Sequence, residues 1–252
     1  MTEDTRRFAI LMPWGRVGSN LVAATLNRRR GIRIDNEPTT RIRTFGERDG
    51  VPKDEQARQQ MAELDAFLGP SEDERRAGLK LSYRSLLEPG AYLGRLRSAG
   101  VPLVLMMRAN HLKCAVSQLR ARVRAEEEAS QWQSPWAVRA DEPKPGAVEL
   151  DCAEVIRLTG LFQRLHGETL ASVREVFGEA WLGVEYAELA ADPQRELQRI
   201  CEWFGIEGFD TFELPHRKAT SDDLAEDVLN YEELAERARE AGYGALLRAG
   251  DG

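Results

Sequence analysis

Short apolar runs recur along the chain, each broken by glycine, proline or charge and followed by a stretch with helical spacing. Phe8-Ala9-Ile10-Leu11-Met12 is the first; it stops at Pro13 and Gly15, and Leu21, Val22, Ala24, Thr25 and Leu26 follow at near-helical intervals. That pattern predicts strand, turn, helix. Further strands are predicted at 32–34, 79–83, 101–107 and 181–186, separated by segments able to form helices. Helical periodicity marks 54–68 and 155–176, and a helix over 193–204 is opened by Asp192 as cap with Pro193 at its first position. The alternation predicts an α/β fold with a mostly parallel central sheet flanked by helices.

One stretch breaks the pattern. Residues 126–146 combine Glu126-Glu127-Glu128 with Trp132, Trp136 and three prolines, which suits a lid or substrate loop better than a core element. No repeat and no linker divides the chain, so a single domain spanning 1–252 is expected.

Composition narrows the possible functions. With 252 residues, 42% of them hydrophobic, the chain can build one large core. Its net charge of −7 repels nucleic acid and anionic membranes, so a bound anion needs a local cluster of basic groups. Cys114, Cys152 and Cys201 are too few and too scattered for a disulfide framework or a zinc cage, and read as reduced, buried thiols. Residues 1–7 lack the pattern of a secretory leader, and no apolar run reaches membrane-spanning length, so a cytoplasmic protein without a transmembrane segment is expected.

Two segments carry candidate chemistry. Gly15-Arg16-Val17-Gly18-Ser19-Asn20 lies where the first strand feeds the first helix, and amides at a helix N-terminus, aided by the helix dipole, bind phosphate or sulfate. Gly18 permits close backbone approach, Ser19 and Asn20 add short polar groups, and Arg16 supplies a cation for charge developing on a leaving phosphate. An ordinary capped turn fits the same residues. A Walker-type kinase loop fits less well, because Ser19-Asn20 stands where a Lys-Ser or Lys-Thr pair is needed. In the second segment, the strand over 101–107 runs into Arg108, and Asn110 caps a helix with Leu112, Ala115, Val116, Leu119 and Val123 as its apolar stripe. Asn110, Lys113 and Ser117 share another face. An arginine at a strand's carboxyl end beside a polar helix face forms a second candidate phosphate site.

These segments resemble those of the sulfotransferases that use 3′-phosphoadenosine 5′-phosphosulfate (PAPS), especially the bacterial carbohydrate branch with trehalose and nodulation-factor sulfotransferases. Residues 15–21 are similar to that family's 5′-phosphosulfate loop, and 108–117 to its 3′-phosphate segment, which nominates Arg108 and Ser117 as ligands of the 3′-phosphate. The likeness continues in Asp35-Asn36-Glu37-Pro38, Gly78-Leu79-Lys80-Leu81, residues 184–189 and residues 218–234. Arg217-Lys218 resembles a late basic pair that closes over the nucleotide, with Ala219 where a glycine is usual. The resemblance implies a P-loop-type sulfotransferase fold, PAPS as donor, 3′-phosphoadenosine 5′-phosphate (PAP) as product, no obligatory metal, and a small-molecule acceptor with a hydroxyl, such as a carbohydrate. A homodimer stays open.

Sulfuryl transfer needs an acceptor hydroxyl in line with the breaking sulfur–oxygen bond, a base near that hydroxyl and positive charge near the leaving phosphate. Glu37 follows the second strand and matches the proposed base of the trehalose branch; a solvated carboxylate in a turn is its alternative. His111 is the rival base, or else a nucleotide or substrate contact, or an exposed side chain. Trp132 and Trp136 either form a wall for the acceptor or pin down their loop. Lys80 either faces the site or ends a strand in solvent. A small-molecule or nucleotide kinase, and an inactive nucleotide-binding protein, are the competing functions.

Overall fold

Phe8, Ile10 and Met12 are buried on one side of a sheet with Val104, Met106 and Val184, while Ala9 and Leu11 are buried on the other with Leu79, Leu81, Leu103 and Leu105. Successive residues of a strand face opposite sides, so a strand apolar at every position must be covered on both. In the computed structural model, which describes residues 7–70, 75–127, 138–139, 145–207, 211–217, 221 and 223–248, this is achieved by five parallel strands between helices. The strands are β1 (Arg7–Met12), β2 (Ile32–Asn36), β3 (Arg76–Ser82), β4 (Leu103–Met107) and, after a two-residue strand β5 (Val138–Arg139), β6 (Leu182–Glu185). Their spatial order is β2-β3-β1-β4-β6, with every pairing parallel. The predicted α/β class is the one found, and β1, followed by a loop and a helix, lies at the centre of the sheet.

The helices are α1 (Ser19–Asn27), α2 (Pro38–Arg48), α3 (Lys53–Leu68), α4 (Pro89–Ser98), α5 (His111–Glu127), α6 (Cys152–Phe177), α7 (Tyr186–Ala191), α8 (Pro193–Trp203) and α9 (Tyr231–Glu240). Leu26 of α1 and Leu197 and Ile200 of α8 cover one face of the sheet; Leu64 of α3, Leu93 and Leu96 of α4 and Val173 of α6 cover the other. A third cluster joins α5, α6 and α9 through Leu112, Val116, Val155, Phe162 and Leu234. The expected caps are present: Asn110 Oδ1 accepts from the Lys113 amide at 3.0 Å, and Asp192 Oδ1 from the Arg195 amide at 3.1 Å.

Some boundaries differ for local reasons. The fourth strand begins at Leu103, because the Val101 amide donates to Leu96 O at the end of α4 and Pro102 has no amide to donate. Residues 38–48, not singled out from periodicity, form α2, with Pro38 in its first turn. Of the expected 126–146 loop, Val138–Arg139 pairs antiparallel with His216–Arg217 (β7). Trp132 and Trp136 lie outside the described residues. The three cysteines are buried and form no disulfide, and burial pushes the Cys201 thiol up to about 12. Among the described residues, no helix is long and apolar enough to cross a membrane.

Candidate active site

β1 ends at Met12, and the chain turns through Pro13 to Gly18 at the carboxyl edge of the sheet before α1 begins. Gly18 has φ of +84°, and a Cβ there would lie 2.7 Å from Leu189 Cδ2 and 3.2 Å from Tyr186 Cδ2. Both the backbone and the neighbouring side chains therefore require glycine. α1 opens with no side-chain cap and no acidic residue in its first turn, which leaves the positive end of its dipole to the cavity lined by Gly18, Ser19 and Asn20. Val17 is fully buried and anchors the loop, and Ser19 Oγ donates to Met12 Sδ at 2.9 Å.

Arg16, in the middle of this loop, donates from Nε to Ser117 Oγ on α5 at 2.9 Å. Its carbonyl accepts from Arg108 Nη1 at 3.3 Å, so the two predicted anion segments meet. Arg108 is buried and stacks over the Tyr186 ring, with Cζ 4.3 Å from the centroid. Burial first, and then Arg108, bring the Arg16 pKa down to about 10, which leaves it cationic at neutral pH. Two guanidinium groups side by side are well suited to a phosphorylated ligand.

Glu37 lies across the same cavity. Its Oε1 is 3.0 Å from Lys80 Nζ, its Oε2 accepts from Thr40 Oγ1 at 3.1 Å, and its amide donates to the Lys80 carbonyl at 2.8 Å. Lys80 Nζ also donates to Asn20 Oδ1 on α1. The side chain of Lys80 is only 4% exposed, which decides between its two readings: it points into the protein and joins β3, α1 and α2. Among the described residues, only two that are not glycine have positive φ, and they are Arg16 at +72° and Glu37 at +51°. Such conformations cost of order 1–3 kcal/mol and concentrate at functional sites. Here they fall on the two residues nominated for chemistry. The cavity that holds both has a volume of about 1060 Å³.

No family model and no curated protein matches this chain. Among solved structures it is similar to a sulfotransferase from Alicyclobacillus acidocaldarius, with 17% identity, 97% of this chain and 96% of that chain covered, and a TM-score of 0.49. It is also similar to the sulfotransferase domain of the Synechococcus PCC 7002 olefin synthase, with 17% identity, 81% and 74% covered, and a TM-score of 0.46. A third similar structure is mouse sulfotransferase SULT7A1 complexed with PAP, with 15% identity, 94% and 65% covered, and a TM-score of 0.42. All three are sulfotransferases. At this distance the functional reading has to rest on the chain's own site residues.

The remaining nominated residues fall in different places. His111 is outside the cavity lining: its Nε2 lies 3.2 Å from His166 Nδ1, and its ring packs against Trp14, which stacks on Phe162 at 4.4 Å. Arg217 belongs to β7, and Lys218 lies outside the described residues. Residues not nominated from sequence also line the cavity, among them Trp14, Arg43, Arg84, Arg122 and Tyr186. One signal was available for Arg43: Thr40, Arg43, Thr44 and Glu47 recur at the three- and four-residue steps of one helix face.

Proposed function

We propose that the protein transfers a sulfuryl group from PAPS to a hydroxyl of a small, carbohydrate-like acceptor. The observation that carries this reading is the meeting of a left-handed Arg16, tied to Ser117 and Arg108, with a left-handed Glu37, tied to Lys80, in one cavity at the carboxyl edge of a parallel sheet. Ligands of open parallel sheets bind at that edge. Arg108 and Ser117 are assigned to the 3′-phosphate, and the α1 N-terminus with Arg16 to the 5′-phosphosulfate. Arg217 and Lys218 are proposed to close over the nucleotide.

In the transfer step, the acceptor oxygen forms a bond to sulfur as the bond from sulfur to the bridging phosphate oxygen breaks. The electron pair stays on that oxygen, where Arg16 and Lys80 offer positive charge. The hydroxyl proton passes to the Glu37 carboxylate, which Thr40 and Lys80 hold in place. The loop lacks the Lys-Ser or Lys-Thr pair of a Walker kinase.

Single-turnover transfer from labelled PAPS, with the best acceptor from a screen of sugars, tests the assignment. Glu37→Gln keeps size and most hydrogen bonding, so it is expected to leave PAP affinity nearly intact while slowing transfer by about 10²–10⁴-fold. A parental rate in this variant removes Glu37 from the mechanism, and loss of rate in His111→Asn alone moves the base to His111. Transfer in the parent is expected to persist in chelator, whereas magnesium-dependent kinase chemistry is abolished by it.

A further inference from the structure

Cations outnumber carboxylates in the cavity wall, and not all of them lie in the proposed donor segments. Among the described residues, six cations line it, Arg16, Arg43, Lys80, Arg84, Arg108 and Arg122, against two carboxylates, Glu37 and Glu47, in a chain whose net charge is −7. Arg16 and Arg108 face the proposed donor segments, and Lys80 is paired with Glu37. The other three arginines come from separate elements. Arg43 lies on α2, six residues beyond Glu37; Arg84 lies in a 3₁₀ turn (Tyr83–Ser85) directly after β3; and Arg122 lies on α5, five residues beyond Ser117.

Their partners set them apart. Arg43 is paired with Glu47 at 2.9 Å and donates from Nη1 to the Arg84 carbonyl at 2.5 Å, so α2 and the turn after β3 are joined there. Arg122 is 3.6 Å from Glu154, a carboxylate that Arg157 engages more closely at 2.5 Å. Among the described residues, the guanidinium of Arg84 has neither a carboxylate within ion-pair distance nor a hydrogen-bond acceptor. Hydroxyls suited to orient a ligand adjoin it, with Thr40 Oγ1 and Ser85 Oγ hydrogen-bonded at 2.8 Å.

We propose that Arg84, flanked by Arg43 and Arg122, forms an anion subsite on the Glu37 side of the cavity, and that the acceptor is an anionic hydroxyl compound carrying a phosphate or carboxylate. This rests on the transfer reading for the role of Glu37, but the subsite itself does not. Arg43 and Arg122 each have a carboxylate partner and Arg84, among the described residues, has none within ion-pair distance; converging guanidinium groups repel one another, and an anion beside Arg84 relieves that repulsion. In agreement, the Arg84 pKa is lowered, first by partial burial and then by Arg43, Arg122 and Arg157, with Glu47 opposing. A neutral sugar leaves Arg84 uncompensated; a sugar phosphate or uronate places its charge beside Arg84 and its hydroxyl toward Glu37.

The test uses glucose, glucose 6-phosphate and glucuronate as probes, with binding to the full chain saturated with PAP followed by saturation-transfer NMR. Both charged sugars, or one of them, are expected to bind about tenfold or more tighter than glucose, and the better of the two identifies phosphate or carboxylate as the preferred charge. In Arg84→Ala this preference is expected to vanish while PAP affinity is unchanged, and Arg58→Ala, an exposed substitution on α3, is expected to keep it. The inference is overturned if no charged sugar binds, if glucose binds equally well, or if the preference survives in Arg84→Ala. Failure of PAP to bind defeats the transfer reading instead, and a charge preference lost in Arg84→Ala of the unsaturated protein then still supports the subsite.

Discussion

At the scale of single residues, the site is organised by pairs that bring together positions far apart in the chain. Ser117 Oγ holds Arg16 across 101 residues, and Arg108 holds the Arg16 carbonyl across 92. If Arg108 serves the 3′-phosphate, Arg108→Ala should weaken PAP by about 1.5–3 kcal/mol, the worth of a charge-assisted contact, and adenosine 5′-phosphate far less. Calorimetry with both ligands on a correctly folded variant checks this; equal weakening of the two argues against the assignment. Ser117→Ala should show the same selectivity with a smaller loss. The nomination of Arg108 was legible in the sequence, because a strand running into an arginine and a capped helix has a local signature. The partner of Lys80 was not: the sequence leaves that lysine equally compatible with solvent, and only the β2–β3 pairing, with Asn36 beside Lys80, brings Glu37 to it.

At the scale of elements, the loop between β1 and α1 is fixed at its last residue. Gly18→Ala places a methyl group 2.7 Å from Leu189 Cδ2 at a φ of +84°, and is expected to cost about 1–3 kcal/mol of stability. Gly15→Ala, where an added Cβ meets nothing within 4 Å, should change stability by less than about 0.5 kcal/mol. Thermal unfolding of the two variants checks the contrast, and equal shifts would show that the loop is not held at Gly18. The first strand, the first helix and the helices over residues 53–68, 152–177 and 193–203 were legible because the apolar period is clear in each, and Asp192 with Pro193 marks the start of the last. α2 was harder to read: it opens on Asn-Glu-Pro, a turn sequence, and its exposed Phe45 and many charges blur the apolar stripe. Its polar face, with Thr40 and Arg43, belongs to the cavity, so function has replaced part of the pattern that periodicity detects.

At the scale of the whole molecule, the two histidines behind the loop give stability a pH dependence with a defined sign. Burial first, then its neighbour His166, push His111 down to about 4, and burial lowers His166 as well. The ordinary value in the unfolded chain is about 6.5. Between these values the unfolded chain binds more protons than the folded one, so the contribution is fully present above about pH 6.5 and is lost as pH falls toward 4. The depressed carboxylates Glu47, Glu55 and Glu154 act in the same direction, but only as pH falls below their ordinary value of about 4.3. Glu185, raised mainly by burial, opposes the histidines in the upper range by gaining stability as it takes up its proton. The melting temperature should therefore fall between pH 7 and pH 5 in the parent, and fall less in His111→Gln/His166→Gln, where neither side chain can take up a proton. His216 and Glu185 remain in both proteins, so the difference between the two curves isolates the buried pair. Parallel curves would mean that the imidazoles relax into solvent on protonation, and that the contact between His111 and Trp14 does not couple the core behind the loop to pH.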